Sequence, residues 1–272
     1  MKTILVGTDF SPAALNAVNY AADMALAINA NMVLLHVYQA PVSYSDYPVV
    51  VNLEDMKESA EREINEIKIQ VTRRTFGKLN ISTEVIMGVY FQELKTVCER
   101  IKPYTVVMGN QGTTAVERLL SGSHAIYAMK HLTWPLITVP GEAAFSSVKK
   151  IGLACDFDNV VESTPIDEIT MLVNDFNAEL HVLNIGKQKI FNPDFIFQSG
   201  VLQQIMAALK PYYHFIANEN TDEGIMDFAE KNQIDLLIVL PKRHSLLDKL
   251  IHKSHTKQLV LHCHLPVMAL HQ

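Results

Sequence analysis

The chain contains its own pattern twice. "KTILVGTDF" at 2–10 is answered by "KKIGLACDF" at 149–157, and "NANMVLLHV" at 29–37 by "NAELHVLNI" at 177–185. Farther on the match is gap-free: "YTVVMG" at 104–109 lies over "DLLIVL" at 235–240, and Pro135 of "WPLITV" stands 131 positions before Pro266 of "LPVMAL". Each copy therefore repeats a whole order of elements, which makes 272 residues two domains of ordinary size. The boundary is expected in "PGEAAFSS", a small-residue stretch with a proline, giving domains at 1–142 and 147–272.

Within the first copy, short apolar runs alternate with helical patterns. "TILVGT" predicts a strand buried on both faces, followed by a helix that Ser11 would cap and Pro12 would open. Leu15, Val18, Ala22 and Ala25 recur at three and four, giving that helix one apolar face. "NMVLLHVY" predicts a second strand, 52–76 a long charged helix ended by Gly77, and "ISTEVIM" a third strand. A helix from Phe91 to Ile101, the strand "YTVVMG", a helix from Gly122 to His131 and the strand "PLITV" complete the copy. Strands alternating with helices predict an α/β fold of two tandem doubly wound domains, each a five-stranded parallel sheet flanked by helices.

The glycines then fall into place. In "MGNQGTTAVERLLSGSHA", at 108–125, Gly109 and Gly112 follow the fourth strand, and Gly122 and Ser123 open the next helix. Doubly wound sheets keep their ligand crevice at that end, so the backbone could approach a phosphate chain at the first two glycines. The helix start would add free amides, a favourable dipole and the Ser123 hydroxyl. Glycine also serves tight turns, and Asp9 could equally be a helix cap.

These residues resemble the universal stress protein family. Its nucleotide signature, Gly, two residues, Gly, nine residues, Gly-Ser, is met by Gly109, Gly112, Gly122 and Ser123, and "ILVGTDFS" and "LLHV" resemble its first two strands. The resemblance covers nearly the whole chain, twice. It implies an ATP site formed by Thr8, Asp9, Val37, Met108, Gly109, Gln111, Gly112, Gly122 and Ser123, with Asp9 toward the adenosine and Val37 against the base. Asn110 and Gln111 offer no basic side chain between the first glycines, so phosphate charge would fall to backbone amides and to Mg as counter-ion. The family also pairs its fifth strands edge to edge, which implies that "PLITV" and "PVMAL" pair within the chain. A further homodimer is left open.

The second copy is expected to have lost the site. An offset of 131 turns Gly109 into Leu240, Gly112 into Arg243 and Gly122 into Lys253, and keeps only Ser123 as Ser254. One nucleotide per chain follows. A basic pocket built from Lys242, Arg243, His244 and Lys253 for another anion is the alternative for that loop.

Other functions find little support. A net charge of −6 without blocks of like charge argues against nucleic acid. "MKTILVGTDF" reaches Asp9 too soon for a signal peptide, no apolar run could span a bilayer, and the three dispersed cysteines suit buried thiols in the cytoplasm. "HCH" at 262–264 and "HKSH" at 252–255 have no closed zinc spacing, and Ser123 has no evident His and acidic partners. No catalytic residue is identified. The expected function is ATP-dependent regulation in a stress response, with a slow ATP hydrolase using Gln111, or a scaffold that binds no nucleotide, as alternatives.

Overall fold

The computed structural model describes residues 1–40, 52–110, 123–157, 160–186, 193–241 and 255–271. The strands of the first half are β1 (Thr3–Gly7), β2 (Asn31–Tyr38), β3 (Ile81–Met87), β4 (Thr105–Asn110) and β5 (Leu136–Pro140). Those of the second are β6 (Lys150–Ala154), β7 (Glu179–Gly186), β8 (Tyr212–Ala217), β9 (Leu236–Val239) and β10 (Val267–Ala269). They form one sheet in the order β3-β2-β1-β4-β5-β10-β9-β6-β7-β8. All neighbours are parallel except β5 and β10, which run antiparallel with Ile137 opposite Met268. Each half is thus a five-stranded parallel sheet, and the two meet at their fifth strands.

Strand register repeats the offsets seen in the sequence. Ile4 faces Thr105 where Ile151 faces Leu236, and Val106 faces Leu136 where Leu237 faces Val267. The gap-free match over the last strands therefore describes equivalent places in the two sheets.

The helices cover both faces because the strands are apolar on both. Ile4 and Val6 enter one core with Val18, Ala22 and Ala25 of α1 (Pro12–Ala27), while Leu5 enters the other with Leu94 and Val97 of α3 (Tyr90–Ile101). Ser11 caps α1 as expected, its Oγ accepting from Ala14 N at 3.2 Å, and Pro12 fills the first position. The charged helix α2 (Leu53–Arg74) is capped by Asn52 and followed by Gly77 at φ +71°. In the second half the counterpart of α1 is interrupted: Val160–Ser163 forms one turn, Pro165 cannot supply a helical N–H, and Ile166–Phe176 begins afresh.

Candidate functional site

From β1 the chain moves outward to β2 and β3, then returns to β4 on the opposite side, so the strand order reverses between β1 and β4. A crevice opens at the carboxyl ends of such a pair. Gly7, Thr8 and Asp9 reach it from β1, His36 and Val37 from β2, and Met108 and Gly109 from β4.

Thr8 is buried, its N–H donating to Leu35 O at 2.9 Å and its Oγ1 accepting from Phe10 N at 3.1 Å. Its carbonyl accepts from His36 Nδ1 at 2.8 Å, and the His36 ring stacks on Phe10 at 4.2 Å. Phe10 takes φ 66°, a left-handed conformation that turns the chain sharply into α1. Because Ser11 does the capping, Asp9 stays exposed, using Oδ1 to accept from Ser11 N at 3.1 Å. The cap reading of Asp9 is thereby corrected: it shapes the turn before the cap. The same turn is rebuilt in the second half, where Asn184 Nδ2 donates to Cys155 O at 2.9 Å and Phe157 takes φ 56°.

Both glycines at the crevice floor are forced by neighbours. A Cβ on Gly7 would lie 2.1 Å from the Tyr90 hydroxyl, and one on Gly109 would lie 2.5 Å from Ala13 O and 2.9 Å from Ala14 N. Gly109 therefore lacks a side chain so that the first turn of α1 can lie against β4, a requirement that holds without any phosphate. Burial first, then the charge of Asp9, raises the Tyr90 phenol above its ordinary range. The Tyr90 ring also meets His124 edge to face at 5.3 Å.

Met108 is buried and Val37 half-buried in one apolar cluster with Ile86 and Tyr90. Thus Thr8, Asp9, Val37, Met108 and Gly109 all lie at the carboxyl ends of β1, β2 and β4. Gln111, Gly112 and Gly122 lie outside the described residues, and Ser123 is the first residue of the helix Ser123–His131. In the second half Leu240 is half-buried and packs against the core that holds Val160 and Ile169. Lys242, Arg243, His244, Lys253 and Ser254 lie outside the described residues.

Tyr90 and His36 carry no role in the sequence motifs, and Asn110 enters them only as a position without a basic side chain. A glycine inside the strand "TILVGT" was the available signal for Tyr90, since such a residue marks close approach of another group. No comparable signal pointed to His36 or Asn110, whose partners are distant in sequence.

Among the described residues no cluster of three or more His, Cys, Asp or Glu could hold a metal, and no helix is long and apolar enough to cross a membrane. Cys98, Cys155 and Cys263 are buried and outside any disulfide, and burial, with Glu99 beside it, pushes the Cys98 thiol up to about 12.

A doubly wound sheet built twice in one chain, each copy with a switch point between its first and fourth strands, defines a tandem α/β protein. The model of the universal stress protein family matches residues 1–140 and 203–271, and the chain belongs to that family. Universal stress protein MJ0531 of Methanocaldococcus jannaschii is 29% identical over 140 residues, covering 51% of this chain and 81% of the relative. A universal stress protein structure from Archaeoglobus fulgidus superimposes with a TM-score of 0.74 at 14% identity, covering 99% of this chain and 98% of the other. A functionally unknown protein from Pseudomonas aeruginosa gives 0.62 at 13% identity, covering 100% and 92%.

Proposed function

We propose that the first half binds one ATP in the crevice between β1 and β4, and that occupancy regulates a stress response by changing conformation or partner choice. The observation that carries this reading is the β1–β4 switch point itself. There an exposed Asp9 lies at the strand ends, and β4 leads into the Gly109, Gly112, Gly122, Ser123 spacing with a helix starting at Ser123. Exposed Asp9 suits a ribose hydroxyl, and half-buried Val37 suits a base. Gly112, Gly122 and the helix start would give backbone amides to phosphates, and Mg²⁺ would neutralise charge that no side chain at 109–112 offers to match. The cytoplasm and a homodimer belong to the same reading, with the β5–β10 pairing acting as the internal two-fold contact.

Titration calorimetry with ATP and Mg²⁺ tests it. One equivalent per chain is expected. Gly112→Arg combined with Gly122→Lys, which copies the second half into the first while sparing the packing at Gly109, should abolish binding without changing the melting temperature. Two equivalents, or binding that survives the double change, would refute the assignment. Phosphate release above the buffer rate, lost in the same variant, would establish the slow hydrolase instead, and no heat with the wild type would leave the scaffold.

A further inference from the structure

Asn110 ends β4 immediately after Gly109 and is buried, with 7% of its surface exposed. Its Nδ2 donates to Val260 O in the helix His255–His262 of the other half, while its Oδ1 has no hydrogen-bond partner among the described residues. The helix Ser123–His131 is tied to that half as well: Met129 O accepts from His271 Nε2 at 2.8 Å. Met129 and Val260 are themselves equivalent, 131 positions apart in the gap-free repeat.

The donors, unlike the acceptors, do not repeat. The position equivalent to Asn110 is Pro241, and the position equivalent to His271 is Pro140, and proline has neither a side-chain donor nor an N–H. Only the strand carrying Gly109 reaches across to the opposite helix by this route. A buried amide that donates at one end and, among the described residues, goes unpaired at the other is held at a cost, because an unsatisfied buried acceptor forfeits its hydrogen bond to water.

We propose that the second half positions the nucleotide site of the first, with Asn110 the positioning residue that couples occupancy to the helix His255–His262 and His271 the second tether. The proposal rests on the nucleotide reading above. Two tethers hold the end of β4 and the helix Ser123–His131 against the second half. Movement of either on binding must then pull on Val260 or on His271. A second half whose glycines are replaced is retained, on this view, because it holds the first half's site in shape.

The test uses the full chain, ATP with Mg²⁺, calorimetry and amide hydrogen exchange. In the wild type, ATP should slow exchange in 255–262, a helix of the half that the reading gives no nucleotide. Asn110→Ala should weaken binding roughly tenfold, the scale of one buried hydrogen bond, and abolish that slowing. Asn110→Asp, which keeps the shape and loses the donor, should do the same. Should both unfold, His271→Phe cuts the other tether and must show a comparable loss of affinity. Wild-type affinity with undiminished protection of 255–262 in any folded variant overturns the coupling and leaves the nucleotide reading intact. A wild type that binds no ATP overturns both.

Discussion

The hydroxyl of Tyr90 occupies the space that a side chain on Gly7 would need, 2.1 Å from where its Cβ would stand. Strand β1 and helix α3 are thereby locked at one height, and the turn carrying Thr8 and Asp9 starts from a fixed point. Gly7→Ala is expected to destabilise the chain by about 1–3 kcal/mol, the usual cost of forcing extra volume into a packed site. Tyr90→Phe removes the closest atom and leaves ring carbon Cζ at 3.4 Å, so the double variant should recover most of the loss. Urea denaturation of the four proteins measures this, and additive losses would show that the two sites do not interact.

Gly109 makes a harder demand, because what its Cβ would strike is backbone. A side chain at Gly7 needs only a ring to shift, whereas one at Gly109 needs the first turn of α1 to move. Gly109→Ala should therefore cost more stability than Gly7→Ala, and by the same amount with or without ATP-Mg²⁺. A variant with normal stability that fails only in nucleotide binding would show that Gly109 serves phosphate and not packing.

Local chemistry made much of this readable in the sequence. Ser11, Asn52 and Gly77 act within a few residues of the elements they bound, and the offset of 131 survives because β4, β5, β9 and β10 are apolar runs without insertions. What escaped was long-range. The spacing of Gly109 carries no sign of its packing partner, Ala13, which lies on another element. Asn110 was read as the absence of a basic side chain, although its amide reaches Val260. The interruption at Pro165 is likewise invisible in the repeat, which is carried by the strands and not by the helix between them.

His181 and His214 give the second half a pH dependence. His181 Nδ1 lies 3.0 Å from His214 Nε2, with Tyr212 and Phe228 packed around the pair and Glu179 Oε2 3.6 Å from His181 Nε2. Burial lowers both imidazoles below the ordinary 6.5; Glu179 opposes this at His181 and Lys150 reinforces it, while the charge of His181 adds to the lowering at His214. Because the folded values are the lower ones, protonation favours the unfolded chain. Their contribution is complete above the unfolded value near 6.5 and is lost as pH falls through the depressed folded values. The urea midpoint should thus drop between about pH 7.5 and pH 5, and His181→Leu with His214→Leu should flatten that drop. An equally steep fall in the double variant would place the acid sensitivity elsewhere.

Leu240 stands where the first half has Gly109, and the two positions separate packing from binding. In the second half Leu240 is half-buried and packs against the core that includes Val160 and Ile169. Restoring the glycine should therefore do harm. Leu240→Gly removes a half-buried isobutyl group and is expected to cost about 2–3 kcal/mol, toward the low end for large-to-small changes because solvent already reaches the site. It should create no second nucleotide site, since the offset of 131 still pairs Arg243 with Gly112 and Lys253 with Gly122 in the sequence. Calorimetry on the variant is expected to return the single ATP per chain proposed for the wild type. A second equivalent would mean that Leu240 alone closes the second crevice, and that this half retains the rest of a nucleotide site.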